Sequence, residues 1–135
     1  MQLEFIISNA TDLLRVSAVD IMCIQADGNY STVIMIDGDE RLVLFQLGQL
    51  EQMLNEQLGA SASIFIRIGR GIIMNREYLY AINLPKQLLV LRSPSGYKRT
   101  LTASKESLRQ LKKLIDTNIT KGGKNGEGRY ERKYL

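Results

Sequence analysis

The chain contains the stretch Ala26-Asp27-Gly28-Asn29-Tyr30-Ser31-Thr32-Val33, in which a polar, glycine-containing segment meets an apolar run. A second stretch, Ile66-Arg67-Ile68-Gly69-Arg70-Gly71-Ile72-Ile73-Met74-Asn75, has the same form. Such a stretch can form a loop at the edge of a rigid sheet, and β-rich domains commonly present binding residues in this way. The second stretch holds two arginines within four residues and no acid. These features favour a binding domain over an enzyme.

Short strands separated by turns account for most of the chain around these stretches. Asp37-Gly38 lies between two β-rich segments, which is one of the strongest local signals for a hairpin. Leucines recur every three or four residues from position 47 to 58, so we predict an amphipathic helix over Gln46–Leu58. A second helix is predicted after Ser104, a candidate N-cap. The predicted strands are Leu3–Ser8, Leu13–Val16, Val19–Gln25, Asn29–Ile36, Glu40–Phe45, Ser63–Ile68, Ile72–Met74, Tyr78–Leu84, Gln87–Arg92 and Tyr97–Leu101.

The length of 135 residues predicts one domain with a tail. We place the domain at residues 1–116 and a basic, disordered tail at residues 117–135, because the glycine-rich segment Lys121–Gly128 is too polar to fold alone. The net charge is +4, and the tail holds five basic and two acidic residues, which leaves +1 for the domain. The charge of the domain therefore permits a polyanionic partner without requiring one.

The location of the protein is also constrained by the sequence. No apolar run approaches the roughly 20 residues that a helix needs to span a bilayer. The segment Met1–Phe5 lacks the basic start of a secretory signal. Cys23 lies in an apolar run and has no cysteine partner, so we expect a buried, unpaired thiol. We therefore expect a cytoplasmic protein with no membrane association.

Catalysis is poorly supported by the composition. Histidine is absent, so no imidazole is present to act as a base near pH 7. The chain also lacks a P-loop, a dinucleotide-binding fingerprint and a serine-nucleophile elbow. With one cysteine and no histidine, a zinc site is not expected. The carboxylates of Asp37, Asp39 and Glu40 are close in sequence, but a solvated hairpin tip explains them. We expect no enzyme, no cofactor and no small-molecule substrate.

Arg70 is the strongest candidate for a binding residue. It lies between two glycines, so its backbone can bend freely and approach a surface closely. A planar guanidinium suits guanine edges or phosphate groups. The alternative is that Gly69 and Gly71 only make a tight turn and that Arg70 is solvated. Arg67 is predicted on the preceding strand, where a surface ion pair of small energetic weight is the alternative.

Three other positions could add polar contacts. Asn29 could donate and accept at a base edge or phosphate with Tyr30 beside it, although both also suit a turn and a packed strand. Lys105 begins the last helix, and the amides at a helix N-terminus attract anions. The alternative interpretation is that Lys105 is a solvated lysine that follows an N-cap residue. Lys98 and Arg99 lie on the last hairpin, where they could contact phosphates or be solvated.

Three motifs in order resemble those of the LytTR family of bacterial DNA-binding domains. The first is Ile21–Val33, an apolar strand followed by an Ala-Asp-Gly-Asn-Tyr stretch and a second strand. The second, Phe65–Asn75, is similar to the family segment Phe-x-Arg-x-His-Arg/Lys-Ser-x-x-Val-Asn. The third, Ala103-Ser104-Lys105, is similar to a Ser-Arg/Lys element before the last helix. A leucine-rich helix lies between the first two motifs, as in the family, and the resemblance covers roughly residues 3–115.

The resemblance implies a mainly all-β fold of elongated antiparallel sheets, with about ten short strands, one inserted helix and a C-terminal helix. It also implies that loops enter successive major grooves on one face of the duplex. Gly69 stands where the family usually has histidine, and Gly71 where it usually has serine, so the family's base preference is not carried over. Arg67 would hold the second loop or contact the DNA backbone. The implied DNA-binding residues are Asn29, Tyr30, Arg67, Gly69, Arg70 and Lys105.

The resulting hypothesis is a bacterial transcription regulator that binds double-stranded DNA sequence-specifically. Members of the family commonly occupy paired DNA sites, so a homodimer on such sites is expected. Most members carry a receiver domain in front of the DNA-binding domain, and we expect this chain to act without one. The alternative is a non-enzymatic protein-interaction module on the same fold with weak or lost DNA binding, which the charge of +1 on the domain would suit.

Overall fold

The computed structural model describes the backbone of residues 3–122 and the side chains of residues 3–119. Within that part of the chain, ten strands and two helices form three antiparallel sheets. The fold class and the order of the elements are as predicted from the sequence. The elements are β1 (Glu4–Ser8), β2 (Leu13–Ser17), β3 (Ile21–Asp27), β4 (Tyr30–Met35), β5 (Glu40–Val43), α1 (Leu47–Leu58), β6 (Phe65–Ile68), β7 (Ile72–Asn75), β8 (Leu79–Asn83), β9 (Leu88–Arg92), β10 (Lys98–Thr102) and α2 (Lys105–Gly122).

A five-stranded sheet in the order β5-β4-β3-β7-β6 forms the centre of the domain. β1 and β2 form a separate hairpin, and β10-β9-β8 form a three-stranded sheet. The central strand β3 is apolar on both faces, which is typical of a strand covered on both sides. Its register shifts between Ile21 and Cys23, so Met22 and Cys23 both belong to the same core.

Two hydrophobic cores lie on opposite faces of the five-stranded sheet. The first core joins that sheet to α1 and the β1–β2 hairpin, and the second joins it to the β8–β10 sheet and α2. Alternate residues of the strands supply the two cores, because side chains of a strand alternate between faces. The first core contains Phe5, Ile7, Ile21, Ile24, Val33, Leu47, Leu50, Leu54 and Ile73. The second contains Met22, Cys23, Ile34, Ile72, Met74, Leu89, Leu91, Leu101, Leu108 and Leu111.

Helix α1 follows from its leucine spacing and its ends. Leu47, Leu50, Leu54 and Leu58 are all buried, as the amphipathic pattern predicts. The side-chain oxygen of Gln49 accepts a hydrogen bond from the backbone N–H at position 46, 2.8 Å away, which satisfies one donor before the first turn. The helix ends at Gly59, which has φ of 58° and ψ of −131°, a conformation that glycine adopts more readily than other residues. Neither helix in the described residues is long and apolar enough to cross a membrane.

Several element boundaries differ by one or two residues from the sequence predictions, and two of the differences have a clear origin. Residues Ala18–Asp20 form a 3-10 turn, so β3 begins at Ile21 rather than at Val19. Val19 points away from the core and is 45% exposed, which explains why its apolar character was misleading. Helix α2 continues to Gly122, six residues past the end that we predicted for the domain at residue 116. The rest of the predicted tail, residues 123–135, lies outside the described residues.

Candidate nucleic-acid interface

One end of the five-stranded sheet gathers two of the three predicted contact segments around a shared groove. The turn between β6 and β7 forms one wall, and the junction between β10 and α2 forms the other. The backbone N–H of Ala26, near the end of β3, donates to the carbonyl of Gly71 at 2.8 Å, so β3 forms the floor between them. The groove is lined by Gln25, Ala26, Ile68, Gly69, Arg70, Gly71, Ile72, Thr102, Ala103, Ser104 and Ser107.

The β6–β7 loop is a tight turn that exposes Arg70. Ile68 and Ile72 are the last paired residues of the hairpin, which leaves Gly69, Arg70 and Gly71 to make the turn. Gly69 has φ of 59°, where a side chain is strained, and a Cβ there would lie 3.0 Å from Ser107 Oγ. A Cβ on Gly71 would have no atom within 4 Å. The two glycines therefore differ in their tolerance of a side chain. The turn requires glycine at position 69, whereas position 71 has open space beside Arg70.

Arg67 holds this loop from its inner side. Its Nε donates to the carbonyl of Gly69 at 3.0 Å, and its Nη2 donates to the carbonyl of Arg70 at 3.3 Å. Its Nη1 pairs with Glu51 of α1 at 2.7 Å, and its side chain is 28% exposed. The guanidinium thus fixes two backbone carbonyls of the loop and ties them to a helix. Arg67 thus makes both the ion pair that was its alternative interpretation and hydrogen bonds to the loop backbone, and its contact with DNA stays a prediction.

The β3–β4 hairpin brings Asn29 and Tyr30 to the same end of the sheet. Asp27 pairs with Tyr30, so Gly28 and Asn29 form a two-residue turn, and Gly28 has φ of 65°. Glycine with positive φ at the first position is typical of such hairpin turns. Asn29 is exposed at the tip, and Tyr30 is 46% exposed. These residues extend beyond the groove rather than lining it.

The junction between β10 and α2 places the N-terminus of α2 beside the groove. Ser104 Oγ accepts a hydrogen bond from the backbone N–H of Ser107 at 3.0 Å and donates to Ser107 Oγ at 2.9 Å, which confirms Ser104 as the N-cap. Lys105 is the first residue of α2, and its side chain is exposed. The partial positive charge of the helix N-terminus adds to that of Lys105 at this wall of the groove. Glu106, next to it, is paired with Arg109.

Arg99 is a residue whose environment the sequence analysis missed. Rather than lying on a solvated strand, its guanidinium donates to Glu40 at 2.7 Å, to the Tyr97 hydroxyl at 3.1 Å and to the Gln25 side-chain oxygen at 3.2 Å. Burial alone would lower the pKa of Arg99, but hydrogen bonds to Glu40 and Tyr97 raise the pKa above its ordinary value. Glu40 and Gln25 lie 59 and 74 positions away in sequence, so no local pattern indicated this network.

The residues considered for catalysis or metal binding have structural explanations. Asp37 Oδ1 accepts from the backbone N–H of Asp39 at 2.9 Å within the turn, and Glu40 pairs with Arg99. Cys23 is fully buried, and burial raises the pKa of its thiol from 9.0 to about 12, which keeps it protonated near neutral pH. Among residues 3–119, no three His, Cys, Asp or Glu side chains are placed to hold a metal ion.

The fold is thus a mainly β domain that presents a glycine-flanked arginine, a second hairpin tip and a helix N-terminus at one end, an arrangement suited to binding a polyanion such as DNA. A family model described as the LytTr DNA-binding domain matches residues 12–116. The match spans more than half of the chain, so this protein belongs to the LytTR family of DNA-binding domains, as the motifs predicted. That family consists of DNA-binding domains of transcription regulators.

A solved structure agrees with this assignment at the level of the fold. A LytTr DNA-binding domain from Bacillus cereus superposes with a TM-score of 0.58, covering 85% of this chain and 98% of that one. The two sequences are 17% identical, so the likeness concerns the fold and not the individual contact residues. No curated protein sequence matches the chain at a significant level.

Proposed function

We propose that the protein is a bacterial transcription regulator that binds double-stranded DNA sequence-specifically in the cytoplasm, through the loop end of its five-stranded sheet. The main support is the groove that joins the Arg70 loop to the N-terminus of α2. The exposed side chain of Arg70 and the N-terminus of α2, which begins with the exposed Lys105, thereby lie at one end of the molecule. Groups of this kind donate hydrogen bonds to phosphates and base edges.

The division of roles follows from the geometry of each residue. Arg70 is exposed on a loop whose backbone is fixed, so it is positioned to read a guanine edge in the major groove. Lys105 and the α2 N-terminus would hold a phosphate, because a compact ammonium and helix amides suit that group. Asn29 and Tyr30 lie farther out along the sheet end and would contact the adjoining part of the duplex. Gly69 contributes its backbone only.

A homodimer on paired DNA sites and the absence of catalysis are parts of the same proposal. A domain of this size reaches a short stretch of duplex, and a second copy would double the number of bases contacted. Genomic fragments selected by the purified protein would show whether its sites occur in pairs and at what spacing. The second candidate function, a protein-interaction module without DNA binding, predicts that no fragment is enriched.

The first prediction concerns the role of Arg70. Arg70→Ala should weaken binding to the preferred duplex by about 1–3 kcal/mol while changing binding to a scrambled duplex less, because a base contact is specific to one sequence. Fluorescence anisotropy on both duplexes at several salt concentrations measures this difference. Arg15→Ala, which removes an exposed arginine from the β1–β2 hairpin, is the matched control for the removed charge. Equal losses on both duplexes would show that Arg70 contacts phosphate only.

A further inference from the structure

Gln25 lies on the floor of the groove, between the two walls that carry the proposed DNA contacts. It occupies β3 directly before Ala26, and it pairs across the sheet with Ile72 of β7. Its side chain is half-buried and lines the same groove as Arg70 and Ser107. In the sequence, this position is only the last residue of a mostly apolar predicted strand. In the folded protein, Gln25 places a side-chain amide at the centre of the sheet end that carries the β3–β4 and β6–β7 turns.

Arg99 fixes the orientation of that amide. A guanidinium can only donate hydrogen bonds, so the atom of Gln25 that faces Arg99 Nη2 at 3.2 Å must be the oxygen. Arg99 is itself held by Glu40 at 2.7 Å and by the Tyr97 hydroxyl at 3.1 Å. The amide nitrogen of Gln25 is therefore left with both hydrogens, and no acceptor for them is found among the residues that the structure describes.

Like the Gln25 amide nitrogen, most of the other polar groups that line the groove can donate hydrogen bonds to a ligand. Arg70 is a donor without acceptor capacity, and no carboxylate is among the lining residues. The hydroxyl of Ser104 already accepts from the backbone of Ser107, and the hydroxyl of Ser107 accepts from Ser104. The groove thus offers mainly hydrogen-bond donors. A ligand atom that accepts hydrogen bonds, such as a phosphate oxygen or the O6 or N7 atom of guanine, therefore suits the groove, whose hydroxyls (Thr102, Ser104 and Ser107) can also donate.

We propose that Gln25 is a further DNA-contacting residue that donates from its amide nitrogen to an acceptor of the duplex, and that Arg99 is the residue that positions it. This inference rests on the proposed function, since it assigns another contact to the same surface. It differs from the family resemblance, which placed contacts on loops and at the helix junction. Here the contact comes from the face of the central strand, and the β10 strand supplies the residue that orients it.

The test replaces the donor with an acceptor of the same shape. In Gln25→Glu an oxygen still faces Arg99, so the fold is retained, but the donated hydrogens are removed and a negative charge faces the DNA. Duplex affinity should fall by at least about tenfold. Asn55→Asp makes the same amide-to-carboxylate change on the exposed surface of α1 and should have little effect. Gln25→Ala, which adds no charge, should weaken binding by a smaller factor, and circular dichroism checks that all three variants fold.

The outcomes separate this proposal from the proposed function. If the wild type binds duplex DNA and Gln25→Glu binds as tightly as Asn55→Asp, the role of Gln25 is refuted while DNA binding stands. If the wild type binds no duplex even in dilute salt, the proposed function fails and the contact fails with it. A loss confined to the preferred duplex supports a base-edge contact, and an equal loss on a scrambled duplex supports a phosphate contact.

The positioning role of Arg99 needs its own measurement. Arg99→Lys keeps a positive charge beside Glu40 but is too compact to reach Glu40 and Gln25 together. The side-chain amide signal of Gln25 in NMR spectra should move, and the ratio of affinities for preferred and scrambled duplexes should fall, at unchanged melting temperature. A variant that shifts the melting temperature alone, with the amide signal and the affinity ratio unchanged, would show that Arg99 is only structural.

Discussion

At the scale of single residues, the glycines around Arg70 show what a sequence can and cannot reveal. The Gly-Arg-Gly segment predicted a flexible loop, and both glycines could equally have served the turn. The structure separates them, because Gly69 has φ of 59° and a Cβ added there would lie 3.0 Å from Ser107 Oγ, whereas a Cβ on Gly71 would meet open space. At Gly69, where the resemblance implies a histidine, the positive φ favours glycine in this structure. The departure from the family's usual serine at Gly71 has no steric reason in the structure.

The second prediction uses this difference between the two glycines. Gly69→Ala should lower the free energy of unfolding by about 1–3 kcal/mol, because a Cβ is strained at that φ and meets Ser107 Oγ. Gly71→Ala should change it by less than about 0.5 kcal/mol, since the position is open and lies outside the left-handed region. Urea denaturation of both variants measures the difference. Equal destabilisation would mean that the loop does not hold the conformation described.

The third prediction concerns the pH dependence of stability caused by Cys23. Burial raises the pKa of its thiol from 9.0 to about 12, so the folded protein keeps the proton that the unfolded chain releases above pH 9. Its contribution to stability is complete below pH 9 and declines from pH 9 to pH 12, by about 1.4 kcal/mol per pH unit at most. The difference in unfolding free energy between wild type and Cys23→Ala should therefore shrink from pH 8 to pH 10.5. A constant difference would contradict a buried, protonated thiol.

At the scale of the elements, periodicity predicted what each segment is but not what it contacts. The alternating and three-to-four-residue spacings identified all ten strands and both helices, because these patterns depend on local geometry. The pairing of β3 with β7, and the contact of β10 with β3 through Arg99 and Gln25, join residues that are far apart in sequence. The contact loops were predicted because turn chemistry is local. An ion pair of Arg67 was considered from the sequence, but its partner Glu51, in a helix 16 residues earlier, was not predicted.

The fourth prediction tests whether α1 helps to hold the Arg70 loop. Removing an acid normally strengthens binding to a polyanion, because it raises the net positive charge. Glu51→Gln should instead weaken duplex binding several-fold, since a neutral amide holds the Arg67 guanidinium less strongly than a carboxylate does and so loosens its hold on the carbonyls of Gly69 and Arg70. Anisotropy titrations compare it with Glu56→Gln, which removes an exposed acid from the same helix.

Whether Glu51→Gln lowers or raises the affinity for duplex DNA decides whether the pairing of Glu51 with Arg67 matters. Glu56→Gln should leave the affinity unchanged or raise it slightly. A gain of affinity in Glu51→Gln equal to that of Glu56→Gln would show that the charge of Glu51 matters and its pairing with Arg67 does not. The pair itself is partly exposed, so we expect it to contribute no more than about 1 kcal/mol to stability.

At the scale of the whole molecule, the fold places three acidic residues away from the proposed DNA contacts. Asp20 precedes β3, and Asp37 and Asp39 follow β4, so these acids lie at the end of the sheet opposite the two contact hairpins. The carbonyl of Asp20 accepts from the backbone N–H of Ile36 at 2.9 Å, which brings the acidic segments together. The field that a domain with a net charge of about +1 presents to DNA therefore depends on the arrangement of its charges, and the contact end holds Arg70 and Lys105 together with the single acid Asp27 of the β3–β4 hairpin.

The fifth prediction concerns the basic residues beyond α2. Deleting residues 123–135 removes four basic and two acidic residues while leaving α2 intact. Binding should weaken by the same factor on preferred and scrambled duplexes, because charge on a segment without base contacts acts through the phosphates. The dependence of log affinity on log salt should become shallower by roughly 0.9 for each phosphate that the shortened protein no longer neutralises. Titrations of both duplexes at four salt concentrations, with Arg70→Ala as the sequence-selective comparison, measure these slopes. A deletion that removes the preference for one sequence would place a base-reading residue in that segment and move part of the recognition away from the groove.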